Sequence, residues 1–132
     1  MTLVDTNVLL DLATNDPQWV AWSISRLEAA SLAGPLLIND IVYAELCGRF
    51  GRIEEVEAFI DEAGVEMTPI PRYALFLAAK AFTAYRRSGG SRTGILSDFF
   101  VGAHAAADAL TLLTRDPRLY QRYFPTVQLL TP

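Results

Sequence analysis

Short apolar runs alternate with amphipathic stretches along this chain. Leu3-Val4 stops at Asp5, and polar Thr6-Asn7 gives way to Val8-Leu9-Leu10. The pattern predicts a short strand followed by a helix to about Ala13, capped by Thr6 or Asn7. Asp16-Pro17 reads as a cap and first-turn pair. The helix it opens carries Val20, Ile24, Leu27 and Ser31 on one stripe and ends at Gly34-Pro35. Leu36-Leu37-Ile38 predicts a second strand, after which Asn39 or Asp40 caps a helix holding Val42, Glu45 and Leu46. Val56, Phe59, Ile60 and Ala63 mark another amphipathic helix, ended by Gly64.

A short strand is expected within Val65 to Ile70, and Pro71 opens a long helix to about Arg87. That helix has two apolar stripes, Leu75-Ala78-Ala79-Phe82 and Tyr73-Phe76-Leu77. Such a helix is either sandwiched inside the fold or lies at a subunit interface. Ser88-Gly89-Gly90-Ser91 is a loop, and Ser97 caps a helix through Ala107. Leu110–Leu113 is a strand, Asp116-Pro117 starts a short helix, and Val127–Leu130 is a final strand. Strands and helices alternate throughout, without repeats or linkers. This is the pattern of an α/β domain, with a central, mainly parallel β-sheet sandwiched by α-helices in three layers.

The length of 132 residues suits one domain, and an apolar fraction of 52% is enough for a real core. No apolar run approaches the roughly 18 residues of a membrane span, and no basic segment follows Met1. The expectation is a soluble, cytoplasmic protein. The lone Cys47 fits a reducing compartment and reads as a small core thiol. A net charge of −4 argues against a simple cationic nucleic-acid binder, but it suits an enzyme whose clustered carboxylates bind divalent metal. Ten of the bases are arginines, the better residue for bidentate phosphate contacts.

Four acids fall where such a sheet opens to a ligand. Asp5 ends the first strand and Asp116 follows the strand ending at Leu113. Asp98 sits in the first turn after the glycine-rich loop, and Glu45 lies one turn inside the helix after the second strand. Oxygen donors of this kind suit Mg²⁺ or Mn²⁺. Without metal, four like charges repel and some stay protonated.

Singly, each has an ordinary explanation. Asp116 before Pro117 makes a good cap, Asp98 favours a helix N-terminus, Asp5 can cap the first helix, and Glu45 can face solvent. It is the joint placement that points to a site. Thr6, Asn7 and Thr114 are the short polar neighbours that would orient carboxylates. Asp40 is placed about 140° from Glu45, and Asp108 about 15 Å along the axis from Asp98, so neither joins them. Asp11 and the acids of 54–66 read as solvated faces or helix ends. His104, the single histidine, reads as packed or surface, which leaves no Ser-His-Asp set.

The blocks VDTNVLLDL, INDIVYAEL, LSDFFVGAHA and LLTRDPRLYQRYFP, in this order, resemble the PIN-domain ribonucleases, in particular the VapC-type toxins of toxin–antitoxin pairs. The resemblance spans essentially the whole chain and implies a single PIN domain over 1–132. It implies a metal-dependent endoribonuclease whose acidic quartet falls on Asp5, Glu45, Asp98 and Asp116, holding one or two Mg²⁺ or Mn²⁺ ions. Thr114 and Asn7 fall on its supporting polar positions. It further implies an RNA substrate cut by metal-activated water to a 5′-phosphate and a 3′-hydroxyl, a homodimer, and a VapB-type antitoxin that wraps the toxin and blocks the site.

Arg86, Arg87 and Arg92 flank the loop before Asp98, and Arg115 and Arg118 flank Asp116; these are candidates for the RNA backbone. The doubly apolar Tyr73–Arg87 helix, or the Trp19/Trp22 region, is the candidate dimer surface. Rival chemistries lack their residues. The third position of a D-x-D phosphatase motif is Asn7, Lys80 lies mid-helix rather than at a strand end, and no P-loop is present. The alternative of another class is a catalytically weak PIN-like module that binds RNA or protein.

Overall fold

The computed structural model describes residues 1–92 and 94–132; Thr93, five residues before Asp98, lies outside the described residues. Strands β1 (Thr2–Val4), β2 (Leu36–Ile38), β3 (Val65–Met67), β4 (Thr111–Leu113) and β5 (Leu129–Leu130) form one parallel sheet in the order β3-β2-β1-β4-β5. Among the described residues, seven helices flank it: α1 (Thr6–Ala13), α2 (Val20–Ala33), α3 (Asp40–Cys47), α4 (Ile53–Ala63), α5 (Arg72–Arg87), α6 (Leu96–Ala107) and α7 (Arg118–Tyr123). This is the expected three-layer α/β architecture. Every residue of β1 and β2 is buried, which is why these strands are written as unbroken apolar runs rather than alternating ones. No helix among the described residues is long and apolar enough to cross a membrane.

The strand order locates the ligand crevice. From β1 the chain moves outward through β2 to β3, then returns to place β4 and β5 on the other side of β1. The carboxyl ends of β1 and β4 therefore form the switch point of the sheet, where helices diverge and a crevice opens. The backbone N–H of Asp5 donates to the carbonyl of Leu113 at 2.9 Å, carrying the β1–β4 pairing one residue past the strand. Asp5 and Thr114 are thus delivered side by side.

Several boundaries shift for identifiable reasons. The β3 strand stops at Met67, ahead of Pro69, which has no N–H to give the ladder. The side chain of Asp16 accepts from the N–H groups of Gln18 and Trp19, so it caps a turn, and α2 begins only at Val20. The buried stripe of α2 is Ser23, Leu27 and Ala30, not the predicted Ile24 and Ser31; Ile24 is 41% exposed. The rotation brings Ser23 Oγ onto Asp11 Oδ2 at 2.7 Å.

Asp11 is therefore not solvated, as its sequence context suggests. It is 2% exposed and also accepts from Arg115 Nε at 2.8 Å. Ser97 does not cap α6: Ile95 occupies that position, and Ser97 Oγ turns to Glu45 instead.

Helix α6 runs through the core. Against it lies α5, whose small Ala74 and Ala78 are fully buried, while Tyr73 and Phe76 on its other side are 63% and 57% exposed. His104 of α6 is fully buried and couples two elements that carry site acids. Its Nδ1 meets Asn39 Nδ2 at 3.1 Å, and Asn39 in turn caps α3 by accepting from the N–H groups of Ile41 and Val42. Its Nε2 meets Asp108 at 3.2 Å. Burial lowers the pKa of His104 below its ordinary value, against the opposing pull of Asp108.

Gly102 lets α7 approach α6, because a Cβ there would overlap the ring of Phe124 and touch Tyr120. Alanine would gain about 1 kcal/mol of helix propensity, but overpacking a buried contact costs about 1–3 kcal/mol. Gly102→Ala should therefore lower the unfolding free energy by a net of about 1 kcal/mol, read as a lower urea midpoint at unchanged m-value. Equal or greater stability would contradict this close approach.

Candidate active site

Asp5 sits at the hand-over from β1 to α1 and serves both elements. Its Oδ1 accepts from the backbone N–H of Thr6 at 2.8 Å, so the carboxylate caps α1. Its Oδ2 accepts from Thr114 Oγ1 at 2.8 Å, Tyr120 Oη at 2.8 Å and Asn7 Nδ2 at 3.4 Å. The side chain is nearly fully buried, and burial raises its pKa despite these donors. Tyr120 stays a neutral donor, its own pKa held well above the usual value by burial and by the charge of Asp5.

The polar residues beside Asp5 tie in the rest of the site. Thr6 Oγ1 donates to Glu45 Oε1 at 2.6 Å, and Ser97 Oγ reaches Glu45 Oε2 at 3.4 Å. Asn7 Oδ1 accepts from the backbone N–H of Arg115 at 3.1 Å, fixing the segment that carries Asp116. Thr114 Oγ1 also accepts from the N–H of Asp116 at 3.2 Å. All three short polar residues singled out in the sequence therefore stand against the acids.

A cleft of about 320 Å³ opens here, lined by Asp5, Asn7, Asp98 and Asp116 together with Arg92, Arg118 and Tyr120. Glu45 stands behind it, joined through Thr6. Asp98 projects from the first turn of α6, and among the described residues its carboxylate accepts no hydrogen bond from a side chain or from the backbone outside its helix. Its pKa is pushed up to about 7, by burial first and then by the charges of Asp5, Glu45 and Asp116, with Arg92 opposing. Asp116 is the contrast. Arg118 grips it with Nε to Oδ1 at 3.1 Å and Nη2 to Oδ2 at 3.2 Å, which holds its pKa below the usual carboxylate value.

The donor set is of the kind hard divalent cations take: the carboxylates of Asp5, Asp98 and Asp116 line one cleft. No three acidic, histidine or cysteine side chains among the described residues converge closely enough to hold an ion as they stand. One of the acids lining the cleft, Asp116, is held by Arg118. That pair is exposed, its side chains 85% and 57% accessible, so it is readily exchanged. The mutual repulsion felt by Asp98 is what a cation would relieve.

Among the candidate arginines, Arg92 and Arg118 line the cleft. Arg115 is engaged inward, its Nε on Asp11 and its guanidinium 5.1 Å over the Trp19 ring. Arg86 and Arg87 are exposed at the end of α5, with Arg86 over the Phe82 ring at 6.0 Å. Sequence reasoning missed Tyr120 and Asp11. Tyr120 had a signal: it lies four residues after Asp116, one helical turn, in the segment whose acid was already singled out. Asp11 had none, because its partners Ser23 and Arg115 are distant in sequence.

The PIN domain model matches residues 2–125. The chain belongs to the PIN domain family. No curated protein matches it by sequence. Among solved structures, this PIN domain superposes on VapBC2 from Rickettsia felis bound to a promoter DNA fragment, with a TM-score of 0.74 at 19% identity over 98% of this chain and 97% of that one. The DNA-bound VapBC of Salmonella typhimurium gives 0.72 at 18% identity, and VapBC-1 of nontypeable Haemophilus influenzae 0.72 at 20%, each over 98% of this chain and 96% of the other. At these identities the similarity is one of fold.

The raised pKa of Asp98 has a consequence for chelator-treated protein. A group that binds its proton more tightly folded than unfolded contributes stability that is fully present below about pH 4. That contribution is lost as pH rises through about 7. His104, whose pKa is lowered, slopes the other way, its contribution present above about pH 6.5 and lost below. The readout is therefore a difference: Asp98→Asn should gain stability relative to the parent chain as pH rises from 5 to 7 in urea titrations. A difference independent of pH would contradict the crowding of carboxylates around Asp98.

Proposed function

We propose that this PIN domain is a metal-dependent endoribonuclease of the VapC toxin type. The observation that carries the reading is Asp98. A half-buried carboxylate with no hydrogen-bond donor among the described residues, crowded by three other acids at the switch point of a parallel sheet, is costly unless a cation completes it. Asp5, Glu45, Asp98 and Asp116 would hold Mg²⁺ or Mn²⁺. When bound, such an ion supplies acidity for an attacking water and positive charge for the oxygen that leaves.

The protein's own residues do the positioning. Thr6, Asn7, Thr114 and Tyr120 lock Asp5, and Thr6 with Ser97 sets Glu45. Arg92 and Arg118, at the rim, would meet the phosphodiester, and a phosphate that took Arg118 would free Asp116, one of the residues that would hold the ion. Water adds to phosphorus, the P–O3′ bond breaks, and the 3′ oxygen leaves with a proton, giving a 5′-phosphate and a 3′-hydroxyl.

The biological setting follows from the same reading. The similar solved structures are complexes named VapBC, which supports a VapB-type antitoxin as partner, one that would cover the cleft and keep the enzyme silent. The exposed Tyr73 and Phe76 of α5 suit a homodimer surface. The open arrangement of the carboxylates favours one rival, a module that binds RNA without cutting it.

One experiment separates the two. The purified chain, incubated with single-stranded RNAs, should cleave with Mg²⁺ or Mn²⁺ and not with EDTA. Asp5→Asn and Asp98→Asn should each lower the rate by roughly 100-fold or more, in the range of losing one transition-state stabilising group. RNA binding without cleavage under every metal condition would favour the rival. Metal-dependent cleavage that survives both substitutions would overturn the site assignment.

A further inference from the structure

Beside the acidic cleft lies a second hollow of about 360 Å³ with the opposite character, between the end of α5, the loop Ser88–Arg92 and α7. It contributes Arg92, Arg118 and Arg122 together with Tyr85 and Tyr123. The two hollows share Arg92, Ile95, Arg118 and Leu119, so one runs directly into the other.

The cationic hollow is built rather than incidental. Gly90 allows the loop to lie on the ring of Tyr85, which a Cβ at that position would overlap. The backbone N–H of Arg92 donates to Tyr85 Oη at 3.0 Å, setting the start of the segment that leads to Asp98. Tyr85 and Tyr123 meet edge to face at 6.1 Å, and both pack on Phe99 of the core. Arg122 lies 5.4 Å over the Tyr123 ring, and among the described residues neither it nor Arg92 has a carboxylate within salt-bridge distance.

We propose that this hollow is a nucleotide subsite, which holds the residue next to the scissile phosphodiester of a single-stranded RNA. A strand whose phosphate sits at the acids has to leave the cleft, and this opening continues it. Interleaved arginines and tyrosines match a polymer of alternating phosphates and bases, with guanidinium groups for phosphate and the parts of Tyr85 and Tyr123 that line the hollow for base. A base paired in a duplex would not enter a concavity of this size. The proposal rests on the nuclease reading for what lies in the neighbouring cleft, but its test does not require cleavage.

The test is fluorescence anisotropy of a labelled single-stranded oligoribonucleotide in EDTA, over a series of salt concentrations. Arg122→Ala and Arg92→Ala should each weaken binding about tenfold and lower the slope of log affinity against log salt by about 0.7, one phosphate contact on a single strand. Arg122→Lys should restore the slope. Arg26→Ala, on α2 and outside both hollows, should bind as the parent chain does. Inorganic polyphosphate of matched charge should compete poorly, because it offers no base.

The proposal is overturned if the chain has no affinity for the strand or if Arg122→Ala binds unchanged. It is likewise overturned if polyphosphate competes as well as RNA, which would leave charge alone. Arg122-dependent binding of poly-glutamate, with RNA unaffected, would give the hollow to an acidic protein partner and overturn it too. Arg122-dependent RNA binding without any cleavage would sink the nuclease reading and leave the subsite standing. Metal-dependent cleavage with Arg122-independent binding would do the reverse.

Discussion

The arrangement depends on keeping one carboxylate, that of Asp5, out of water. A side chain only 5% exposed cannot carry charge unless hydrogen-bond donors replace its hydration. Those donors come from the start of α1, from the segment after β4 and from α7: Thr6, Asn7, Thr114 and Tyr120. Satisfying Asp5 therefore pins together three pieces of chain at the switch point of the sheet. Each donor to a buried charge is worth about 1.5–3 kcal/mol, so the local structure is held by the same bonds that prepare the site.

Around this fixed point the charges fall into two kinds. Arg115 with Asp11 joins a fully enclosed acid to a half-buried base, and Ser23 and Trp19 complete the enclosure. Breaking such a pair leaves an uncompensated buried charge, so it acts as a rigid support for the loop that ends in Asp116. Arg118 with Asp116 is exposed and contributes little to stability, so phosphate or a cation can take it apart. The rigid pair supports the loop and the loose pair faces the cleft, and only Pro117 lies between Asp116 and Arg118.

Much of this was legible in the sequence because parallel sheets write their strands as short apolar runs. The end of each run marks the edge where ligands bind. Leu3-Val4 before Asp5 and Leu112-Leu113 before Thr114 carry that information, and Asp5, Thr6, Asn7, Thr114 and Asp116 follow from it. Capping and a place at the cleft do not exclude one another at Asp5, since Oδ1 caps α1 while Oδ2 receives the other donors.

What could not be read depends on partners far apart in sequence. Asp11 looks like a solvated helix acid until Ser23 and Arg115 close over it, and the stripe of α2 rotates away from Ile24 to meet it. Ser97 resembles a helix cap until Glu45, remote in the chain, draws its hydroxyl. The cationic hollow is likewise invisible locally, because Tyr85, Arg92 and Arg122 meet only through the packing of α5 against α6 and α7.

On the proposed reading, Asp5, Glu45, Asp98 and Asp116 are crowded together for a cation. The most direct measurement is the melting temperature of the chain against MnCl₂ concentration after chelator treatment, with NaCl matched for ionic strength. Binding to the folded state alone should raise it by several degrees at millimolar Mn²⁺, by mass action and relieved repulsion. Asp98→Asn, already relieved of its charge, should melt higher than the parent chain in EDTA at neutral pH and lose most of the Mn²⁺ response. A parent chain whose melting temperature is indifferent to millimolar Mn²⁺, or an Asp98→Asn variant that responds as fully as the parent, would contradict a cation site at these acids.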